Sequence, residues 1–426
     1  VTTPRVVIHC ALLLMLLLVA PAQAEDWPRW RGPRGDGTWF GPKLPTTWPK
    51  AGLPVVWRKP IGGGYAGVSI ANGRAITMDR PADTASERVL CFDMSTGDLL
   101  WSHTYAADYS HMRYDNGPRA APTIHDGKVY TLGAIGHAHC LDAMTGEVLW
   151  SIDTVAAWDA GIPIWGFAAS PVVRGDTVIL HVGAQPGGCL VAVDRTTGEE
   201  RWRSLDDPAG YCTPIIITTS GGGGGGDQLI NWNPKRITSV NPDTGKLNWA
   251  FDFPITNGVS IATPIFADGI IFIASFWHGA KAIELGDTPR DATILWEDEL
   301  LRGLMSQPLY RDGHAYLLER QFGLVCFNYR TGQRQWQDEN PPMTRRERNP
   351  QAAMMWLANS DTPGSPDRVL ILNALGDLIL ARFTPTGYIE QSRTHIIDET
   401  WAHPALSDNH LVARSDTQIL CVRLTD

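Results

Sequence analysis

The sequence predicts an all-β fold: an eight-bladed β-propeller of four-stranded antiparallel blades, closed by N- and C-terminal strands that share one blade. Three observations carry this. A turn motif ending in tryptophan recurs along the chain, tight-turn signals stand upstream of its copies, and complementary fragments of the unit lie at the two ends. Repetition at roughly 40–50 residues marks a propeller, because one unit alone cannot bury its apolar faces.

The motif runs small/apolar-Asp/Asn-x-x-Thr-Gly-x-x-x-Trp. It is complete as CFDMSTGDLLW (91–101), CLDAMTGEVLW (140–150), AVDRTTGEERW (192–202), SVNPDTGKLNW (239–249) and CFNYRTGQRQW (326–336). AIELGDTPRDATILW (282–296) carries an insertion in its turn, and ARFTPTGYIEQ (381–391) keeps Thr386-Gly387 without the tryptophan. The last copy begins at Cys421 and stops before its turn, whereas VVWRKPI (55–61) offers Trp57 with no turn before it. Together the two fragments complete one blade, which removes exposed sheet edges.

Upstream, Asp126-Gly127, Gly175, Asp268-Gly269 and Asp312-Gly313 stand between apolar runs. Glycine tolerates positive φ there and closes a hairpin. Two such strands plus the two flanking the Thr-Gly turn make four per unit, and successive tryptophans from Trp57 to Trp336 stand 40 to 52 residues apart.

Within the unit, Asp93, Asp142 and Asp194 are expected to bond their own turns, with Gly97, Gly146 and Gly198 at positive φ. The tryptophans are expected to stack between blades. Cys91, Cys140, Cys326 and Cys421 share a position filled elsewhere by Ala192, Ser239, Ala282 and Ala381, so they read as buried, unpaired packing residues. Cys189 and Cys212 fall outside that register, and a bridge between them stays open. No Cys-x-x-Cys-His is present to attach a c-type haem.

Residues 1–24 read as a signal peptide: Arg5, an apolar stretch from Ala11 to Val19, then Pro21-Ala22-Gln23-Ala24 with cleavage after Ala24. A periplasmic or secreted protein without a transmembrane segment is expected. Residues 25–54, with Trp27, Trp30, Trp39 and Trp48, read as a strap packed over the propeller or a partner contact, and residues 55–426 as the propeller. A net charge of −9 argues against a nucleic-acid partner.

The repeat resembles the tryptophan-docking unit of the PQQ-like (quinoprotein and BamB-like) β-propeller family, over essentially the whole chain after residue 24. The opening WPRWRGPRGDGTW (27–39), with GPRAAPTI, IWGFAASP, AGYCTP and WAHP, resembles the exported PQQ-like repeat proteins of planctomycete-type bacteria.

Propellers bind ligands in a central funnel lined by the loops that lead into each innermost strand. Here those loops supply Arg113, Asp115 and Arg119, then Trp165, Tyr211, Arg302, Arg345, Arg346 and Arg348, and Trp401 with His403. Arginines with aromatics suit a planar anion, since guanidinium grips carboxylates and rings stack. The resemblance implies pyrroloquinoline quinone (PQQ), with calcium, as such a ligand, and Asp115 as the base that takes an alcohol proton as hydride passes to the quinone. Against that implication, the adjacent Cys-Cys pair of many such enzymes is absent and no Glu/Asn/Asp calcium trio is assignable.

Two functions follow. One is an envelope binding module presenting its funnel to a small anionic ligand, a glycan or an envelope protein. The other is a PQQ-dependent alcohol or sugar oxidoreductase. His137-x-His139 places two imidazoles on one strand face at a spacing metals use, without a third ligand evident. Gly221–Gly226 lacks the Lys-Ser/Thr of a phosphate loop and reads as a hairpin tip.

Overall fold

The computed structural model describes residues 25–219, 225–303, 305–320, 323–338, 349–359 and 368–425. The expected signal peptide, the glycines at 221–224, and Arg345, Arg346 and Arg348 lie outside these residues. Among the described residues the chain forms eight sheets, each a four-stranded antiparallel blade and one carrying a fifth, parallel strand, with one five-residue α-helix at Thr154–Trp158 and one 3-10 turn. No described helix is long and apolar enough to cross a membrane.

Blades 1 to 6 begin with strands Ser69–Ala71, Thr123–His125, Val172–Arg174, Ile215–Thr218, Ile265–Ala267 and Leu309–Arg311; blade 7 begins with Ala352–Asn359 and blade 8 with Ala405–Ser407. These first strands approach one another around the axis and are therefore innermost. Blade 8 is completed by Val55–Pro60, which pairs antiparallel with Gln418–Arg423 and sets Trp57 opposite Cys421. The ring is thus closed by the two fragments of the repeat.

Each conserved feature of the unit has a local task. Asp93 Oδ1 accepts from Ser95 N (2.8 Å) and Thr96 N (3.0 Å), and Asp142 and Asp194 cap their turns in the same way. Gly97 adopts φ +71°, and a Cβ on it would lie 2.6 Å from the Trp57 indole. That glycine is required twice, by the turn and by the ring of the preceding blade. The indole N–H then bonds the neighbouring turn: Trp57 to Met94 O (2.8 Å), Trp101 to Ala143 O (3.1 Å), Trp150 to Arg195 O (3.1 Å) and Trp296 to Tyr329 O (3.1 Å). Trp249 faces the blade whose turn carries the insertion, and its N–H goes instead to Gln228 Oε1 (3.2 Å). All six described cysteines are free and buried, Cys189 and Cys212 included.

The N-terminal segment, read from sequence as a strap over the propeller, runs among the innermost strands. Trp27 O and Pro28 O accept from Ile70 N and Ile124 N of blades 1 and 2. Trp30 Nε1 donates to Thr263 Oγ1 beside blade 5 (2.9 Å), and Arg31 Nη2 to Pro308 O beside blade 6 (2.9 Å). Strand Thr38–Gly41 adds in parallel to the inner edge of blade 7. These bonds satisfy edge groups that would otherwise face the channel unpaired. Trp27, Trp39, Leu44 and Trp48 are buried in the same cluster as blades 7, 8 and 1.

Candidate functional site

On one side of this N-terminal segment the loops leading into the innermost strands enclose a cleft of about 280 Å³. On the other side, a second cavity of about 350 Å³ lies against blades 3 to 5. Trp30 lines both, so its ring is the partition between them.

Arg119, Trp165, Tyr211, Trp401 and His403, all expected from sequence, come together in the first cleft. Interblade backbone bonds set their loops. Tyr65 N and Ala66 N both donate to Pro118 O (2.8 Å each), and Tyr211 N and Cys212 N both donate to Ser260 O (3.0 and 2.9 Å). His403 O accepts from Val68 N (3.1 Å), tying blade 8 to blade 1. Thr400 Oγ1 donates to Arg414 O (2.6 Å) and accepts from Ala402 N (3.0 Å), which fixes the loop carrying Trp401.

Aromatic rings form most of the wall. Tyr65 stacks on Trp401 with centroids 5.6 Å apart, and Trp165 lies 5.4 Å from Tyr211. Phe276 and Trp277 meet edge to face at 4.6 Å, and at the floor Trp30 packs on His403 at 4.4 Å. Gln307 and Gln351 contribute amides. Burial pushes the His403 imidazole down to about 3, with the Arg31 charge beneath adding to the effect, so this ring is neutral at physiological pH. Its Nε2 is buried without a hydrogen-bond partner.

Arg119 is the one Lys, Arg, Asp or Glu among the described residues lining the cleft. Its guanidinium donates to the carbonyls of Gly117, Tyr114 and Arg113, and lies 5.5 Å from the Tyr65 ring centre. Burial lowers its pKa, offset in part by the nearby Tyr109 and Tyr65 hydroxyls. These hydrogen bonds go to neutral carbonyls of its own loop, so the guanidinium carries its charge at the cleft wall.

Arg113, Asp115 and Arg302 do not line the cleft. Arg119 draws the 113–117 loop back over itself, leaving Arg113 and Asp115 exposed, and the Asp115 carbonyl accepts from Arg80 Nη1 (2.8 Å). Arg302 Nε donates to Glu299 O (2.9 Å) in its own loop. Tyr65 was legible by the same rule that found Trp165, since it precedes the first strand of blade 1. Trp277 was not, because it lies between the second and third strands of blade 5, Ile270–Ala274 and Ala280–Leu285.

A family model described as outer membrane protein assembly factor BamB matches residues 52–210 and 233–425. The chain is 24% identical over 407 residues to the quinohemoprotein alcohol dehydrogenase ADH-IIG of Pseudomonas putida, covering 80% of this chain and 53% of that protein. It is 23% identical over 267 residues to BamB of Yersinia pestis, covering 58% of this chain and 61% of that protein. The chain therefore spans between half and two thirds of the length of these curated relatives. Among solved structures, the quinohemoprotein alcohol dehydrogenase from Comamonas testosteroni superposes with a TM-score of 0.67 at 14% identity, over 94% of this chain and 80% of that one. At that identity the likeness is one of fold.

Proposed function

The chain belongs to the BamB-type family of PQQ-like repeat propellers, and on that premise we propose that it is an exported binding module whose funnel takes a ring-shaped, hydroxyl-bearing ligand with one anionic group. An acidic sugar is the matching class. The observation that carries this reading is the cleft's composition: stacking rings, amides and a neutral imidazole around one guanidinium. Aromatic faces pack against the apolar face of a sugar ring while amides and imidazole take its hydroxyls. The guanidinium takes its carboxylate.

The signal-peptide reading of residues 1–24 supports export.

The second reading, a PQQ-dependent oxidoreductase, is favoured by the likeness to alcohol dehydrogenases. Among the described residues, the cleft lining does not fit its cofactors. Calcium takes 6–8 oxygen ligands, carboxylates prominent among them, and no described Asp or Glu lines the cleft. A planar polyanion asks for several cations where the described lining offers one.

Calorimetric titration of the purified protein with a uronic-acid oligosaccharide, its neutral counterpart, and PQQ with calcium separates these readings. Saturable binding of the acidic sugar supports the first. Tight PQQ binding with dye-linked alcohol oxidation would replace it with the second.

A further inference from the structure

The cavity on the other side of Trp30, about 350 Å³ against the inner strands of blades 3 to 5, is not part of the proposed sugar site. An innermost strand pairs on one side only, so its other edge faces the channel with free donors and acceptors unless something covers it. The N-terminal segment covers several such edges. Ile70 N and Ile124 N, in blades 1 and 2, donate to Trp27 O (2.8 Å) and Pro28 O (2.7 Å), and Thr38–Gly41 lies along blade 7 as a fifth strand.

Blade 4's inner strand, Ile215–Thr218, is left uncovered: it stands at the edge of its sheet and pairs only with Asp227–Trp232. Thr219 N donates to Gly226 O (3.2 Å), which makes that pair a hydrogen-bonded one. Antiparallel pairs alternate, so Ile217 bonds Gln228 through its backbone, while Thr218 and Ile216 turn their N–H and C=O outward. The same count from the Asn72-Gly73 turn makes Ile70 the outward residue of blade 1, and its N–H is the one that reaches Trp27 O. No described residue accepts from the Ile216 or Thr218 N–H on the channel side, and both residues line the cavity. Outward donors and acceptors two residues apart are what one more strand requires. Inside the ring that edge is reachable by a single extended chain and not by the rim of a folded sheet.

The rest of the lining fits a chain end. Trp30 closes the cavity toward the first cleft, and Thr213, immediately before Pro214 and Ile215, also lines both spaces. Ser170 N donates to Thr213 Oγ1 (2.9 Å), which sets Ser170 at this closed end; its own Oγ is buried without a hydrogen-bond partner. Arg29, next to Trp30 in sequence, donates from Nε and Nη2 to the neutral Pro33 carbonyl (3.2 and 2.7 Å), so its charge stands at the cavity wall. The other charged lining residues are engaged: Arg34 by Glu25 (2.7 Å), and Asp36 by Thr38 N (2.8 Å). A guanidinium and a hydroxyl are donors suited to a carboxylate.

We propose that this cavity receives an extended peptide with a free C-terminal carboxylate, which adds to the Ile215–Thr218 edge as a fifth strand of blade 4. The closed end lies at Ile215, so the peptide runs antiparallel to that strand, with its carboxylate toward Arg29 and Ser170. Ile217, Phe266 and Tyr310 supply apolar surface for its side chains.

The test uses purified full-length protein and an alternating valine–threonine hexapeptide with a free carboxylate, followed by calorimetry and by amide hydrogen exchange. Saturable binding is expected, with slowed exchange at Ile216 and Thr218. Affinity should fall at least about tenfold when the peptide is amidated at its C-terminus or when the protein carries Arg29→Gln, the scale of one lost charge-assisted bond. A fully N-methylated peptide, which has no N–H to give a strand edge, should not bind. The amidated and N-methylated peptides act on the wild-type protein, so the result does not depend on how the variant folds. No binding at millimolar peptide, or equal binding of the amidated or N-methylated peptide, overturns the proposal. So does protection of Ile216 and Thr218 without peptide, by a second copy or by the chain's own segment.

Discussion

The indole of Trp30 lies 4.4 Å, centre to centre, from the imidazole of His403. One residue belongs to the segment that precedes the first blade, the other to the loop that leads into the last. Their contact makes the cleft floor, so the segment before the first blade and the loop into the last blade together bound the proposed ligand site. Trp30→Ala should lower ligand affinity about tenfold, the scale of one lost aromatic contact. Its unfolding midpoint should fall as well, because the Nε1 bond to Thr263 and the packing on His403 are lost while the segment's backbone bonds to Ile70, Ile124 and Trp356 remain. Calorimetry and thermal melts on the same preparation check both halves.

Gly97→Ala should destabilise more than Gly127→Ala. Both glycines adopt φ +71°, but a Cβ at Gly97 meets the Trp57 indole at 2.6 Å whereas Gly127 has nothing within 4 Å. The left-handed backbone alone costs about 1–2 kcal/mol, and overpacking adds about 1–3 kcal/mol. Comparison of urea unfolding midpoints isolates the ring contact.

Stability should fall as the solution is acidified through the histidine range. His181 accepts from Gly210 N at Nε2 (3.0 Å) and donates from Nδ1 to Cys212 O (3.2 Å), a neutral tautomer held in place. Burial pushes its pKa down to about 4, against the smaller opposing effect of its bond to Cys212. The unfolded chain, titrating near 6.5, therefore takes up the proton first. Stability present above about pH 6.5 is lost between there and about pH 4, on the order of 3 kcal/mol for this residue. Urea midpoints across that window should slope downward, and His181→Gln should flatten the slope.

Thiol titration of the native protein should show no reactive cysteine. Burial raises the thiols of Cys91, Cys212, Cys326 and Cys421 to about 12 and that of Cys140 to about 11. In denaturant without reductant, all six described cysteines should react. A count two lower would indicate a Cys189–Cys212 bridge.

The blades were legible because Asp93, Gly97 and Trp57 act within one turn and one interface, so their pattern survives in a linear string. The path of the N-terminal segment was not, because it is set by partners such as Thr263 and Pro308, more than 200 residues away. The site was legible in part. Loop position identified Arg119, Trp165, Tyr211, Trp401 and His403 as cleft residues, while Arg119 and Arg302 both bond carbonyls of their own loops and only Arg119 reaches the cleft, a difference the linear string does not carry. The contact of His103 with His139, 4.9 Å between ring centres, exists only because blade 1 stacks on blade 2.

The most direct measurement is calorimetric titration of the wild-type protein and Arg119→Gln with an acidic sugar and its neutral counterpart. The funnel described here predicts saturable binding of the acidic sugar by the wild type, weakened at least tenfold in Arg119→Gln, and weaker binding of the neutral sugar that the substitution leaves unchanged. Equal binding of both sugars by both proteins, or none at millimolar concentration, would contradict it.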